Sequence, residues 1–338
     1  MMKAIVQDRY GPPDDVLQLR EIDKPVIGDD EVLVRVRAAS VHPDVWHAVT
    51  GRPYVLRLMG AGVFRPKNPV PGTDVAGLVE SVGKDVTRFG PGDEVFGETY
   101  TELQWRNGGA FAEYVSVPQD ALAPKPSGIA FEQAAAVPNS GFIALHNLQG
   151  GGRIQPGQSV LINGAGGGVG SIAVQLAKAY GARVTGVDST GKMEMVRSLG
   201  ADHVIDYTQE DFIQRDERYD LIFDVASNLS LTACKRALTS NGIYIFIGHD
   251  HFGDAAGRVF GSLPRALKLM ALSPFVSQLP GPGSSTPSKR DVVAVLEELL
   301  AAGKLTPVID RTYPLKEVPE AMRSLQAGRA CGKIIITP

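Results

Sequence analysis

The sequence predicts an α/β chain of two domains: a compact β-barrel-like domain followed by a doubly wound parallel sheet. Three observations predict it. The first third alternates apolar and polar residues in short segments cut by Gly and Pro. From about Phe131 onward, short apolar strands alternate with helical patterns. At Gly164–Gly170 a glycine-rich turn joins one such strand to an amphipathic helix. A length of 338 residues suits two cores better than one or three.

In the first third, "EVLVRVRAAS" puts Val32, Val34 and Val36 on one face and Arg35 and Arg37 on the other. Short strands follow in "GLVESVG", "GDEVFGE" and "FAEYVSVP", with Gly90-Pro91-Gly92-Asp93 as a turn. "FEQAAAVPNSGFIALHNL" is helix-like around a Pro-Asn-Ser-Gly interruption. Then "SVLIN" leads into a helix over 169–180, "RVTGVD" into "KMEMVRSLG", and "HVIDY" into "EDFIQR". "YDLIFDVA" leads into "LSLTACKRAL", and "YIFIG" is the fifth strand of a parallel sheet. After a loosely patterned stretch ending in "PGPGSSTPS", helix 289–302, strand "VIDRTY", helix "EVPEAMRSLQ" and strand "KIIITP" complete the chain. These closing strands are expected to return to the first domain.

The composition, 43% hydrophobic and 21% charged, is that of a globular protein. A net charge of −3 spread along the chain argues against a nucleic-acid surface, and no run has the length of a membrane span. The opening "MMKAIVQDRYGPPDD" has no apolar core of the signal-peptide kind. Cys234 and Cys331 are the only cysteines, which excludes a disulfide framework and favours a reducing compartment. The expected location is the cytoplasm.

The glycine turn reads Gly164-x-x-Gly167-x-x-Gly170, with Ala165 in the first-glycine place of a shifted G-x-G-x-x-G pattern. Gly167 would let the backbone approach a pyrophosphate, and Gly170 would let the helix pack close on the strand. The N–H groups at the helix start, from Gly168 and Val169 onward, would face the phosphates. Strand, turn, helix and second strand follow in the order that dinucleotide binding requires, against the alternative of a purely structural turn. No Lys-Ser/Thr pair follows the turn, which excludes a P-loop.

Asp188 ends the second strand 18 residues beyond Gly170, where a carboxylate would accept hydrogen bonds from an adenosine ribose and favour NAD. Lys192, with Ser189 and Thr190 before it, would instead suit a 2′-phosphate. Helix capping by Ser189 or Thr190, and a solvated charge at Lys192, are the structural alternatives.

The motifs "VPGTDVAGLVESVG", "FGPGDEVFG", "GGAFAEYVSVP", "FEQAAAVP", "GAGGGVGSIAVQLAKAYGA", "SLGADHVIDY" and "GKIIITP" run through nearly the whole chain. Together they resemble the medium-chain dehydrogenase/reductase superfamily, in its zinc-free quinone oxidoreductase (zeta-crystallin-like) branch. The resemblance implies a Rossmann domain, a GroES-like β-barrel domain, an active-site cleft between them and a homodimer. The expected divisions are 1–127 for the N-terminal part of the GroES-like catalytic domain, 128–265 for the Rossmann domain, and 266–338 for a segment returning to the catalytic domain. NADPH-using members resemble this chain at Lys192 and at Tyr207, so NADP(H) is preferred, while Asp188 keeps NAD open.

Zinc-dependent relatives carry a Cys on the segment matching "ASVHPDVWH" and a His from the segment that here reads Gly72-Thr73-Asp74. His42 and Thr73 hold those places, and no Cys precedes residue 234, so neither catalytic nor structural zinc is expected. A different metal site from His42, Asp44 and His47 is the alternative to polar residues lining a cofactor cleft. Reducing a simple ketone makes an alkoxide that needs a Lewis acid or strong proton donor. Hydride addition to a quinone or α,β-unsaturated carbonyl spreads charge over a phenolate or enolate, which suits a site without metal.

The resemblance places Asp44 near the nicotinamide ribose, although His42-Pro43-Asp44-Val45-Trp46 stands where relatives often read Asn-Pro-Val-Asp-Trp. Gly248 would meet the carboxamide edge through its backbone, and Pro138, Asn139 and Ser140 would line the cleft opposite. Tyr54, His42, His47 and His249 are the candidate proton donors, with solvent as a further source. Tyr54 packing at the pocket mouth, and Trp46 filling the β-domain core, are the structural alternatives. The predicted activity is NAD(P)H-dependent hydride transfer to quinones or α,β-unsaturated carbonyls. An alcohol dehydrogenase or ketone reductase of the same fold, or a non-catalytic NADPH-binding protein, are the alternatives.

Overall fold

A computed structural model of the chain describes residues 1–100, 107–248, 257–281 and 287–338. The β domain opens with β1 (Met2–Val6), α1 (Pro13–Val16) and β2 (Gln18–Ile22), the two strands forming an antiparallel ribbon. Strand β3 (Glu31–Val41) is the longest, with Val32, Val34 and Val36 buried and Arg35 and Arg37 exposed, as its alternation dictates. Helix α2 (Pro43–Thr50) follows it directly. Strands β4 (Asp74–Val82), β5 (Glu94–Glu98), β6 (Tyr114–Pro118) and β7 (Leu122–Pro124) complete the N-terminal part.

Helices α3 (Phe131–Ala135) and α4 (Pro138–Leu145) lead into the second sheet. There β8 (Ser159–Asn163), α5 (Gly168–Ala179), β9 (Arg183–Asp188), α6 (Met193–Ser198) and β10 (His203–Asp206) form one half. Strand β11 (Tyr219–Asp224), α7 (Leu231–Ala237) and β12 (Leu238–Phe246) form the other. The strand order is β10-β9-β8-β11-β12, all parallel, so the order reverses between β8 and β11. This is the Rossmann arrangement, with its ligand crevice at the carboxyl ends of the strands around that reversal.

The chain ends in α8 (Leu263–Leu272), α9 (Lys289–Ala301), β13 (Ile309–Pro314), α10 (Val318–Gln326) and β14 (Lys333–Thr337). Strand β14 pairs antiparallel with β3, and β13 runs parallel beside β14. The seven-stranded sheet of the GroES-like domain thus takes its first two strands, in the order β13-β14-β3-β4-β5-β7, from the end of the chain, while β6 also pairs with β3.

One buried apolar cluster runs from Ala38, Ala76 and Phe96 of the β domain, through Ala134–Ala136, to Val160 and Ile162 of β8. Small side chains in α3 let the two sheets approach, and each large side chain fully buried here contributes about 1.5–3 kcal/mol. The sequence-predicted helix in "EDFIQR" is only a single turn, Phe212–Gln214. Asp211 accepts the Ile213 N–H at 3.0 Å and closes a local turn, while Phe212 and Ile213 are both buried.

Candidate active site

A cleft of about 1200 Å³ opens where the two sheets meet. Its floor is the glycine turn. Gly164 has φ +87° and sits 3.3 Å, measured from an added Cβ, from the Ala226 nitrogen, so only glycine fits that corner comfortably. A Cβ at Gly170 would fall on the Gly164 carbonyl oxygen, because the helix packs directly on the turn. Gly167 differs: an added Cβ would meet only Gly164 O, at 3.6 Å, leaving its outer face open to the cleft. Helix α5 starts immediately after, and its first N–H groups have no intrahelical partners. The β domain closes the turn from the other side, where Gly332 donates its N–H to Gly166 O at 2.9 Å.

At one end of the cleft lie Asp188, Lys192 and Tyr207. The Asp188 carboxylate is turned onto backbone donors: Oδ2 accepts Gly166 N–H at 2.7 Å and Oδ1 accepts Ser189 N–H at 2.8 Å. Lys192 Nζ stands 3.7 Å from Asp188 Oδ1 and donates to Gly328 O at 3.4 Å. Tyr207 is 60% exposed beside them, fixed through its N–H to Asp188 O at 3.1 Å. Its phenol is therefore free to meet a ligand in solution.

At the opposite end a polar cluster forms between α2, β4, α4 and β14. Asp74 is wholly buried, and its carboxylate takes hydrogen bonds from Ser40 Oγ, from Asn139 N–H at 3.0 Å and from Lys333 Nζ at 3.2 Å. Asn139 Nδ2 also donates to Asp44 Oδ2 at 3.2 Å. His42 Nε2 lies 2.7 Å from Thr73 Oγ1, and His42 Nδ1 lies 3.6 Å from Asp44 Oδ2. Burial by itself raises the Asp44 pKa, but His42, with His47 and Asn139, more than offsets it and holds the carboxyl below its usual range.

Beyond this cluster the wall is apolar and aromatic. Leu56 and Met59 face Phe142, Ile143 and His146 of the α4 segment. Lys289 enters from α9, its ammonium 2.5 Å from buried Glu98 and 5.0 Å from the Phe142 ring centroid. Burial pushes the Glu98 carboxyl up, and the Lys289 charge opposes that shift.

Residues 28–127 match the alcohol dehydrogenase GroES-like domain family, and residues 199–336 match the zinc-binding dehydrogenase family. Over 351 aligned residues the chain is 33% identical to the chloroplastic NADPH-dependent alkenal/one oxidoreductase of Arabidopsis thaliana, covering 100% of this chain and 80% of that protein. Human quinone oxidoreductase is 30% identical over 349 residues, covering 99% of this chain and 98% of its own length. The crystal structure of Escherichia coli quinone oxidoreductase complexed with NADPH superposes with a TM-score of 0.78 at 25% identity, over 99% of this chain and 100% of that one. The chain belongs to the quinone oxidoreductase branch of the medium-chain dehydrogenase/reductase superfamily. It is an oxidoreductase.

Within this oxidoreductase the sequence-predicted residues divide. Gly164, Gly167, Gly168, Val169, Asp188, Lys192 and Tyr207 line one continuous cleft with Gly248, and Asn139, Asp44 and His42 line its other wall. Ala165 and Gly170 lie buried beneath the turn instead, where Ala165 N–H bonds Val187 O at 3.0 Å. Ser189 is likewise off the cleft lining, occupied with Asp188, and Thr190 Oγ1 bonds Asp206 Oδ2 at 2.5 Å. Tyr54 stands apart from these residues. Pro53 and Val55 line the cleft but Tyr54 does not. Its N–H binds Arg258 O at 2.9 Å and its ring lies over the Arg57 guanidinium, 4.6 Å from the centroid, so packing at the mouth explains it. Trp46 is buried in the β domain. His249, Asp250 and His251 lie outside the described residues.

Sequence reasoning missed Lys333, Lys289, Glu98 and His146. The available signals were weak: a lone lysine opening the apolar strand "KIIIT", and a histidine one turn beyond Phe142 on the cleft face of α4.

Proposed function

We propose that this oxidoreductase uses NADPH to reduce small quinones or α,β-unsaturated carbonyls, without a metal ion. The observation that carries the cofactor reading is the Asp188–Lys192–Tyr207 corner. A free carboxylate there would repel a 2′-phosphate, but Asp188 spends both oxygens on Gly166 and Ser189 N–H groups. Lys192 offsets its charge, and Tyr207 adds an exposed hydroxyl. The open face of Gly167 and the N-terminus of α5 would hold the pyrophosphate, and Gly248 with Asn139 and Asp44 would hold the nicotinamide end. NADPH when bound supplies a hydride; the protein's work is to orient it against the acceptor and exclude water.

Zinc does not fit the donor set. His42 Nε2 bonds Thr73 Oγ1 and His47 Nδ1 bonds Arg52 O at 2.6 Å, so each ring has at most one nitrogen left for a metal. Asp74 is saturated by Ser40, Asn139 and Lys333, whose ammonium supplies the positive charge the buried carboxylate needs. No group of three His, Cys, Asp or Glu among the described residues has the geometry to hold a metal. His42 Nδ1, which has no hydrogen-bond partner and stands 3.6 Å from Asp44 Oδ2, is the nitrogen that would donate to a developing enolate or phenolate.

The reading extends to domains spanning 1–127, 128–265 and 266–338, and to a cytoplasmic homodimer. Among the described residues β12 is an edge strand of its sheet, with Tyr244 N–H bonded to Gln278 O at 2.8 Å on the outer side, and the dimer would form along the rest of that edge. No described helix is long and apolar enough to cross a membrane.

The deciding experiment is stopped-flow loss of NADPH absorbance with a panel of quinones, enones and simple ketones. Turnover restricted to quinones and enones, insensitive to chelators and without zinc by elemental analysis, is the expected result. Tight NADPH binding with no turnover would make the protein a binder, and chelator-sensitive ketone reduction would make it a zinc-dependent dehydrogenase.

A further inference from the structure

Helix α8 buries none of its residues, yet it lies against the carboxyl ends of β11 and β12. Leu269 and Leu272 pack half-buried against the core around Tyr244, and polar contacts join them at the first turn. Arg265 reaches inward from its first turn and donates to three oxygens: Ser227 O, Leu229 O and, at 2.9 Å, Tyr244 Oη. Its guanidinium also lies 4.4 Å from the Phe246 ring centroid. Tyr244 in turn donates its hydroxyl proton to Asp224 Oδ2 at 2.7 Å. The other oxygen of Asp224, a wholly buried residue, accepts Asn163 Nδ2 at 2.8 Å and Ser227 N–H at 2.8 Å.

The chain of bonds ends on the cleft. Ser227 adopts φ +53°, a conformation few side-chain-bearing residues take, and its hydroxyl receives Gly248 N–H at 2.9 Å. Ser262, at the start of α8, donates to Gly248 O at 2.8 Å, so both backbone groups of this glycine are fixed. Asn228, Phe246 and Gly248 line the cleft on the β11–β12 side of the point where strand order reverses, with Asn163 beside them at the end of β8. In a doubly wound sheet the adenosine half lies over β8–β10, which leaves this side for the reacting ring.

We propose that Arg265, Tyr244 and Asp224 act as one positioning unit that sets the 225–229 loop and Gly248 against the nicotinamide end of the cofactor. This rests on the cleft being the dinucleotide site argued above. None of the three touches the cleft, so none is a catalytic residue. Their distinguishing feature is convergence: a helix that contributes no buried side chain supplies the cation for a buried carboxylate, and that carboxylate holds a strained serine under Gly248.

The test compares wild type with Tyr244→Phe, which removes one hydroxyl, and Arg265→Met, which keeps the stem. Three quantities are measured: NADPH affinity by fluorescence titration, the single-turnover hydride-transfer rate, and amide hydrogen exchange of the cofactor-free protein. The expected result is NADPH affinity weakened and single-turnover rate lowered, each by about tenfold. Faster exchange should be concentrated in residues 225–229 and 247–248, with the melting temperature lowered by a few degrees and the protein still folded for Tyr244→Phe, which leaves Asp224 Oδ2 without its donor. Affinity and rate within about twofold of wild type in both variants would overturn the proposal, and so would global loss of folded protein in both, which would make the unit scaffold alone. Failure of wild type itself to bind NADPH would instead overturn the function reading.

Discussion

The Lys333 ammonium and the Asp74 carboxylate are 259 residues apart in sequence and 3.2 Å apart in space, both buried. The contact ties the last strand of the chain to β4 at the wall of the cleft, and a Cβ at Gly168 would touch the Lys333 stem at 2.8 Å. Removing the cation leaves a buried charge with only neutral donors. Lys333→Met is expected to cost about 3–5 kcal/mol in chemical denaturation. The double variant Lys333→Met/Asp74→Asn should recover much of that, because the uncompensated charge is gone. An additive loss in the double variant would mean the pair is not coupled.

The glycine turn offers a clean separation of structure from ligand contact. Gly170→Ala puts a methyl group on the Gly164 carbonyl oxygen and 2.8 Å from Ala165 Cα, so the turn or the helix must shift. A loss of several kcal/mol of stability, of order 1–3 or more, is expected from overpacking. Gly167→Ala has room and a negative φ of −85°, so its melting temperature should stay near wild type. Its methyl group would stand in the cleft where the pyrophosphate approaches, and NADPH affinity should fall by more than about tenfold. Titration and thermal melts on the same two variants check both halves.

Lys192 is buried to all but 9% and balances Asp188 across 3.7 Å. Lys192→Ala removes a charged partner for a 2′-phosphate and leaves Asp188 as the nearest charge. The kcat/KM ratio of NADPH to NADH should drop by about tenfold to a hundredfold, the value of one charge-assisted hydrogen bond. An unchanged ratio would remove Lys192 from cofactor selection.

Tyr54→Phe decides between a proton donor and a ring packed at the cleft mouth. The phenol stands over Arg57 and not in the cleft, and the bonds that hold the segment are backbone bonds to Arg258 and Val259. Turnover with quinones or enones is expected to stay within about threefold of wild type, far from the hundredfold or more lost with a general acid.

Much of this was legible in the sequence because it is local. Apolar runs of five or six residues, a glycine turn and a helix of 3.6-residue period lie within forty or so consecutive positions, and each reports on its own backbone. The family resemblance supplied the order of the domains and the likeness at Lys192 and Tyr207. What stayed hidden is what the fold assembles from far apart. Lys333 reads as an ordinary polar start to a strand until β14 lies beside β3. Glu98 and Lys289, and Asp224 and Arg265, are pairs or relays between elements whose facing sides no periodicity fixes. The two readings of Tyr54 stayed open for the same reason: its neighbours Pro53 and Val55 line the cleft, and which of three successive residues turns inward depends on the pairing with Arg258 and Val259.

His146 supplies a pH test of the substrate wall. It stacks on Phe142 at 5.5 Å with 27° between the rings, and its Nδ1 is buried without a hydrogen-bond partner. Burial pushes its pKa below the ordinary value of 6.5. In the unfolded chain the imidazole takes a proton as pH falls through about 6.5, while the folded protein resists until the lower value is reached. The unfolded state therefore binds more protons in that window, and stability falls as pH falls. Above it both states are neutral and the group contributes nothing to the pH dependence. His146→Phe keeps an aromatic ring against Phe142 and removes the titration. Denaturation midpoints measured from pH 8 down to pH 5 should decline more shallowly below about 6.5 in the variant than in wild type, with the curves parallel above it. Parallel curves throughout would show that His146 charges as easily folded as unfolded, and that the wall of the cleft is wetter than its packing implies.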